Sequence, residues 1–351
     1  MKYLLVLATI LVGPLLATLS QRTPYPQSDA IASFYWDTTT IVQYGQGSDQ
    51  WPMTWAKDGH IYASWGDGWG WDRKPEDVKR SIGVTRIIGE QPPLTGVDVW
   101  GEGPGESFGK PEALIAVGDT LYMFWTNGDS KYAHDSYAAI STNGGVSWDL
   151  KRERIFHYAP AGFRVRGICQ YGKGYAGALD DYLYIYFGLN RHPDLYLARV
   201  KTHEIFNART YEWFAYRNPD GSATWTTNFN RKAVVFHDNN AYLWHISVSY
   251  FPDMERYIMT KPHLTEKDNR ETVFAPETGI SSLGIFDAPT PWGPWTTVFY
   301  EDDFLDQYVK FNYIIPAKFI DSSKLSFWLA WSGWPEYDNV NFMKCRFNIY
   351  K

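Results

Sequence analysis

Two aspartates flank one turn of this chain at equal distance. Asp49 lies nine residues before Asp58 and Asp67 nine after it, within Gly47-Ser48-Asp49-Gln50-Trp51-Pro52-Met53-Thr54-Trp55 and the run 60–71. If the turn closes a hairpin, the two residues oppose each other, with Cβ atoms about 4.5–5.5 Å apart. Carboxyl groups about 5–5.5 Å apart suit a retaining glycosidase, whereas an inverting one needs about 6.5–9.5 Å to admit a water. Such a pair divides its roles, because both acids do not stay ionised at close range and one keeps its proton as general acid. Which of the two is the nucleophile stays open at this level. A single Asp beside Gly is a common turn former. Two acids at matched distances, among Trp51, Trp65, Trp69 and Trp71, point instead to Asp49 and Asp67 as a catalytic pair, provided that a slip of one residue does not turn one acid away.

The elements that must position this pair recur along the chain. An apolar residue, an aromatic and an alternating tail appear as Ile61-Tyr62-Ala63-Ser64-Trp65, Leu121-Tyr122-Met123-Phe124-Trp125, Leu183-Tyr184-Ile185-Tyr186-Phe187, Leu243-Trp244-His245-Ile246-Ser247 and Phe327-Trp328-Leu329-Ala330-Trp331. The steps between their aromatics are 60, 62, 60 and 84 residues. A long repeat of β-forming units is the mark of a radial architecture. The expected fold is all-β, a five-bladed β-propeller. Each phrase follows a turn (Asp58-Gly59, Gly118-Asp119, Asp180-Asp181, Asp238-Asn239-Asn240, Asp321-Ser322-Ser323) and, before it, another strand-like stretch: 52–56, 113–117, 165–171, 233–237 and 313–320. Each unit therefore starts as a hairpin, and the acids in those turns read as turn formers.

In such a fold the first strands line a central channel. At their starts lie Asp49 with Gln50, Lys110 with Glu112, Arg164 with Arg166, Arg231 with Lys232, and Lys310 with Asn312. Convergent polar groups in an aromatic frame are the usual make-up of a small-ligand site. At the second-strand ends only the first unit supplies an acid, Asp67. A purely structural residue would recur with the blade.

Aromatic residues make up 18% of the chain, 17 of them Trp. Blades bury both faces, and the remainder suits sugar rings, whose C–H faces stack on indoles and phenols. Trp51, Trp65 and Trp69 are the stacking candidates. The net charge of −6, with no Lys/Arg cluster, gives no support to a nucleic-acid partner. Met1-Lys2-Tyr3 and the apolar run 4–16 read as a secretory signal over 1–20, too short to span a bilayer. The mature chain, 21–351, is expected to be one exported domain, secreted or periplasmic, off the membrane and monomeric. Cys169 and Cys345 belong to different repeats, so no bridge is expected. No metal or cofactor is expected, since His60, His134, His237 and His245 lack metal-ligand spacing. Nucleophile elbows and phosphate loops are absent from the sequence. Ser141-Thr142-Asn143-Gly144-Gly145-Val146-Ser147-Trp148 resembles the structural Asp-box of sialidase-type propellers, with Asn where Asp is usual.

The first-blade run just quoted, Trp65-Gly66-Asp67-Gly68-Trp69-Gly70, Leu195-Tyr196-Leu197-Ala198-Arg199-Val200, and Gly284-Ile285-Phe286-Asp287-Ala288-Pro289-Thr290-Pro291-Trp292-Gly293-Pro294-Trp295 together resemble secreted bacterial propellers of an uncharacterised-domain group related to the endo-D-arabinanases. The resemblance covers most of the mature chain. It implies a five-bladed hydrolase with two first-blade aspartates as catalytic pair, one in a Thr-Asp-Leu-type motif and one in a Phe-Gly-Asp motif. Ser48-Asp49-Gln50 and Trp65-Gly66-Asp67 occupy those places here. Ser replaces Thr and the flank is rich in Trp, so the acids are kept while the sugar is not specified.

The expected function is a secreted glycoside hydrolase acting on a carbohydrate substrate, with a furanoside (arabinan-like) glycan among the candidates. Asp49 and Asp67 supply the chemistry, Lys110, Glu112, Arg164, Arg166, Lys310 and Asn312 position hydroxyls, and the three tryptophans stack sugars. A polysaccharide lyase, using Arg164, Arg166, Arg231 and Lys310 around a uronate, and a carbohydrate-binding propeller without catalysis are the alternatives. Lectin propellers tend to repeat their binding residues in every blade, and these acids do not repeat.

Overall fold

A computed structural model describes residues 23–72, 77–105, 108–127, 136–151, 155–189, 192–240, 245–265, 281–305, 308–334 and 338–350. Among them the chain is all-β, with short 3-10 turns and no α-helix. The signal expected over 1–20, His134 and the Leu243-Trp244 part of the fourth phrase lie outside the described residues.

After an N-terminal strand, Met53–Trp55, Ile61–Gly68, Arg80–Ile88 and Thr95–Pro104 form the first antiparallel sheet, in chain order. Gly109–Val117, Thr120–Asn127, Ser136–Ser141 and Asp149–Lys151 form the next. A third antiparallel group starts at Phe163–Gln170 and a fourth at Ser247–Phe251. Their leading strands are joined by a short parallel pairing, Cys169 to Val248 and Gln170 to Ser249, which fuses them into one ten-stranded sheet. The last sheet starts at Lys310–Ile314 and ends by pairing the C-terminal strand Val340–Ile349 with the N-terminal strand Ile31–Tyr44. The first and last described strands are thereby locked into one sheet.

Alternation explains how each strand serves two cores. Ile61, Ala63 and Trp65 join a cluster with Val340 and Phe342 from the last sheet, while Tyr62 joins Leu114, Ala116 and Met123 from the second. Sheets covered on both faces read as nearly continuous apolar runs, and every residue of Phe163–Gln170 is buried. Four of the five repeat phrases fall on the second strand of a hairpin, as expected. Two of the preceding turns are fixed alike: Asp58 accepts from the His60 amide (2.9 Å) and the Tyr62 hydroxyl (2.8 Å), and Asp180 from the Tyr182 amide (3.0 Å) and the Tyr184 hydroxyl (2.6 Å).

The fourth phrase departs from the pattern. Among the described residues, 234–237 pair with Asp194–Tyr196 of the third group and not with Ser247–Phe251. Ser247–Phe251 is itself a leading strand, followed by Arg256–Lys261. Asp238 does cap its turn, accepting from the Asn240 amide at 2.9 Å. It is buried, ion-paired with the buried Lys261 at 2.6 Å, and this pair ties the connection to the fourth group. The Ser141–Trp148 motif does sit in an outer-strand turn, where the Asn143 side chain accepts from the Ser147 amide at 3.1 Å. Cys169 and Cys345 are free and buried.

Candidate active site

The hairpin that carries both aspartates is regular near its turn, with Met53 opposite Ala63 and Thr54 opposite Tyr62. Towards its open end one extra residue enters the first strand, where Gln50 (φ 75°) and Trp51 (φ 57°) are left-handed. The extra residue is a β-bulge, and beyond it Asp49 pairs with Gly66 through reciprocal backbone bonds of 3.0 and 2.9 Å. Direct opposition of Asp49 and Asp67 is thus corrected by one residue. Burial of Trp51 drives the bulge: its indole is fully enclosed and donates to the Ser48 carbonyl at 3.0 Å.

The two acids stay neighbours around Gly66. A Cβ added there would lie 2.8 Å from Asp49 Oδ1 and 3.4 Å from the Lys110 stem. The Lys110 ammonium contacts the Asp67 carboxylate, and both side chains are largely buried. Asp67 itself is left-handed (φ 47°). Gly68 lies so close to the Ser48 hydroxyl and the Gly47 carbonyl that a side chain would overlap them. Ser48 Oγ then accepts from the amides of Trp69 (2.9 Å) and Gly70 (2.8 Å), which fixes the turn after Asp67.

Further polar contacts involve residues at the starts of the other leading segments. Arg164 Nε is ion-paired with Glu112 Oε1 at 3.0 Å, Ser136 Oγ donates to Glu112 Oε2 (2.9 Å), and His245 Nδ1 lies 3.1 Å from Asn312 Oδ1. Arg166 is fully buried, with its charge near both Glu112 and His245. Lys310 is buried too, donates to the Tyr308 carbonyl (2.8 Å), and lies 5.7 Å from the Trp334 ring. Burial raises the Glu112 carboxyl, against the pull of Arg164, Arg166 and the Ser136 hydroxyl. Asn312 (φ 53°) is left-handed, so four of the eight non-glycine residues with positive φ among the described residues, Gln50, Trp51, Asp67 and Asn312, belong to this region. Backbone strain of this kind gathers at functional sites.

A cavity of about 30 Å³ has walls from the five leading segments, with Gln50, Glu112, Gln170, His245 and Asn312 among its polar lining. That is room for about one water, so a sugar has to bind outside this cavity. No group of His, Cys, Asp and Glu among the described residues is placed to hold a metal ion.

In the sequence His245 stands out only as a histidine without metal-ligand spacing. It takes the place expected for Arg231 and Lys232, which lie instead at a 3-10 turn, with Lys232 Nζ 3.6 Å from the centre of the Phe229 ring. Burial, followed by the charges of Arg166 and Arg164, pushes His245 down from 6.5 to about 3. The unfolded chain therefore binds a proton there that the folded chain refuses. Stability should fall on acidification from about 6.5 towards 3, by up to about 1.4 kcal/mol per pH unit from this group. His245→Gln should flatten that part of a stability-against-pH curve, and an unchanged curve would contradict the assignment.

Two of the three stacking candidates are corrected. Trp51 is 0% and Trp65 2% exposed, both within the core shared by the first and last sheets. The Trp65 Nε1 donates to Thr85 Oγ1 at 3.0 Å. Neither indole presents a face to a sugar. Trp51→Ala should lower unfolding stability by about 3–5 kcal/mol; a raised KM with unchanged stability would restore the stacking role. Trp69 is half-buried, packs over Gly47 and donates to the Asp77 carbonyl at 3.2 Å, so it remains available.

No family model matches the chain, and no curated protein matches it. Solved structures do. A Bacteroides ovatus protein assigned provisionally as a hydrolase superposes with a TM-score of 0.53 at 14% identity, over 86% of each chain. A Dyadobacter fermentans protein of unknown function gives 0.52 at 9% identity, over 91% of this chain and all (100%) of that one. A GH43_1 enzyme from Xanthomonas citri gives 0.50 at 11% identity, over 89% of this chain and 94% of that one. At these identities the likeness is one of fold, and it is to β-propeller-like architectures.

Proposed function

We propose that this chain is a secreted glycoside hydrolase on a five-bladed propeller, released from its signal segment 1–20, that cleaves a glycan with Asp49 and Asp67. The observation that carries the reading is the bulged hairpin. It strains three residues to bring two carboxylates and Lys110 around Gly66, and among the described residues no other leading hairpin carries such a pair of acids at its open end. A fold shared with a GH43_1 enzyme supports the same class, and function must still be argued from the site.

In this reading the Lys110 ammonium balances negative charge on Asp67, so Asp67 is the nucleophile or base and Asp49 the proton donor to the leaving oxygen. The glycosidic C–O bond breaks as the proton reaches that oxygen, and water supplies the new hydroxyl at the anomeric carbon. Lys110, Glu112, Arg164, Arg166, Lys310 and Asn312 form the floor of the site. An arabinan-like furanoside is the first substrate to try, with the protein acting as a monomer and without a cofactor.

The test is incubation of the mature protein with arabinans, xylans and uronate-containing polysaccharides, following new reducing ends and ultraviolet absorbance together. Reducing ends without absorbance are expected. Absorbance from a new double bond would make it a lyase. Silence on every substrate, with glycan binding retained, would leave only a binding role.

A further inference from the structure

A second feature lies two residues beyond Asp67. A groove of about 530 Å³ opens at the outer edge of the first sheet, between the turn after Asp67 and the strand Thr95–Pro104, and Trp69, Asp72, Asp77, Arg80 and Asp98 line it. Its size falls within the range of small-ligand sites, about 300–1,000 Å³.

The groove is built around a held aromatic. The Trp69 ring lies over Gly47, whose positive φ (87°) and missing side chain permit the approach, and its Nε1 is anchored on the Asp77 carbonyl. Asp98 is fixed by the Trp71 amide, at 3.1 and 3.0 Å to its two oxygens, and by the Thr85 hydroxyl. The Arg80 stem lies along Gly101, 3.2 Å from where a Cβ would stand. An indole beside carboxylates and a guanidinium offers a stacking face together with acceptors and donors for hydroxyls. Among the described lining residues three carboxylates stand against Arg80, with the Lys79 ammonium over the Trp69 ring at 5.8 Å from its centre, and like charge at a binding surface rejects an anionic partner.

We infer that this groove is a distal subsite for an uncharged sugar of the glycan chain, with Trp69 as its platform. Two residues span at most about 7 Å, so the groove begins about one sugar unit from Asp67. This inference rests on the hydrolase reading for its direction, from the acids outward along the first sheet, but its test does not depend on turnover.

The test is calorimetric binding of uncharged arabino- and xylo-oligosaccharides of increasing length, and of oligogalacturonides, to the full mature chain carrying Asp67→Asn. Affinity for the uncharged series should rise with length, and the oligogalacturonides should bind at least about tenfold more weakly. Adding Trp69→Ala should remove about tenfold of the affinity for the longer oligosaccharides. Asp77→Asn, which leaves the carbonyl that holds Trp69, should narrow the discrimination against oligogalacturonides. Length-independent binding, tighter binding of the oligogalacturonides, or unchanged affinity in both variants would overturn the subsite. Failure of the hydrolase reading looks different: no reducing ends from the unmodified protein, with length-dependent binding intact.

Discussion

Asp67→Asn should lose turnover by about 10²–10⁴-fold or more, the range expected when a positioned acid-base group is removed, while the protein stays folded and still binds glycan. The substitution keeps the size of the side chain and the left-handed backbone, which Asn tolerates well. It removes the charge that Lys110 meets in a largely buried contact. Stability should drop somewhat, because Lys110 is then left with a neutral partner. Activity assays must therefore be paired with a melting curve. Asp49→Asn should show a comparable loss with a different pH dependence, since the two acids do different work. A folded Asp67→Asn protein with activity within a few-fold of the unmodified chain would remove Asp67 from the chemistry.

Deletion of the N-terminal strand should have the largest effect on the fold. Ile31–Tyr44 covers the C-terminal strand Val340–Ile349, with Ile31 and Phe34 buried beside Phe327 and Phe347. Tyr44 stacks on Trp71 at 4.5 Å and accepts from the Leu94 amide at 2.9 Å, which ties the last sheet to the first. A chain starting at residue 45 exposes Val340–Ile349 as an open edge that invites aggregation. One buried Phe is worth about 3–5 kcal/mol, and a domain is stable by only about 5–15 kcal/mol. The truncated chain should therefore lack a cooperative melting transition or remain insoluble. A soluble product that melts like the full mature chain would show that the closure contributes little.

The parts of this molecule that were legible in the sequence are those set by local chemistry. Asp58 and Asp180 sit before strands and fix them through neighbours within four residues, and both hairpins fell where the repeat placed them. Asp238 also accepts from the amide two residues on, yet its ion-pair partner Lys261 is 23 residues away and the strand before it pairs backwards onto the third group. No local signal distinguishes a turn aspartate from one that is buried by a distant lysine. The place of His245 was hidden for the same reason, since it depends on which strand leads the fourth group. At the candidate site, the residue types were readable: Asp49 and Asp67 meet Lys110 around Gly66, and Glu112 meets Arg164. The register was not, because the bulge at Gln50 and Trp51 follows from burying an indole whose surroundings come from the last sheet. Composition likewise cannot tell a stacking tryptophan from a core one; Trp51 and Trp65 became core, and Trp69 did not.

The central claim is that the carboxylate pair at Gly66 hydrolyses a glycosidic bond. Its most direct test is mass spectrometry of the products formed in heavy-oxygen water by the mature chain and by its Asp49→Asn and Asp67→Asn variants. Heavy oxygen at the anomeric carbon of each new reducing end with the unmodified chain, and loss of labelled product with both variants, is the predicted result. Labelled product at undiminished rate from both folded variants, or unsaturated product without label, would contradict it.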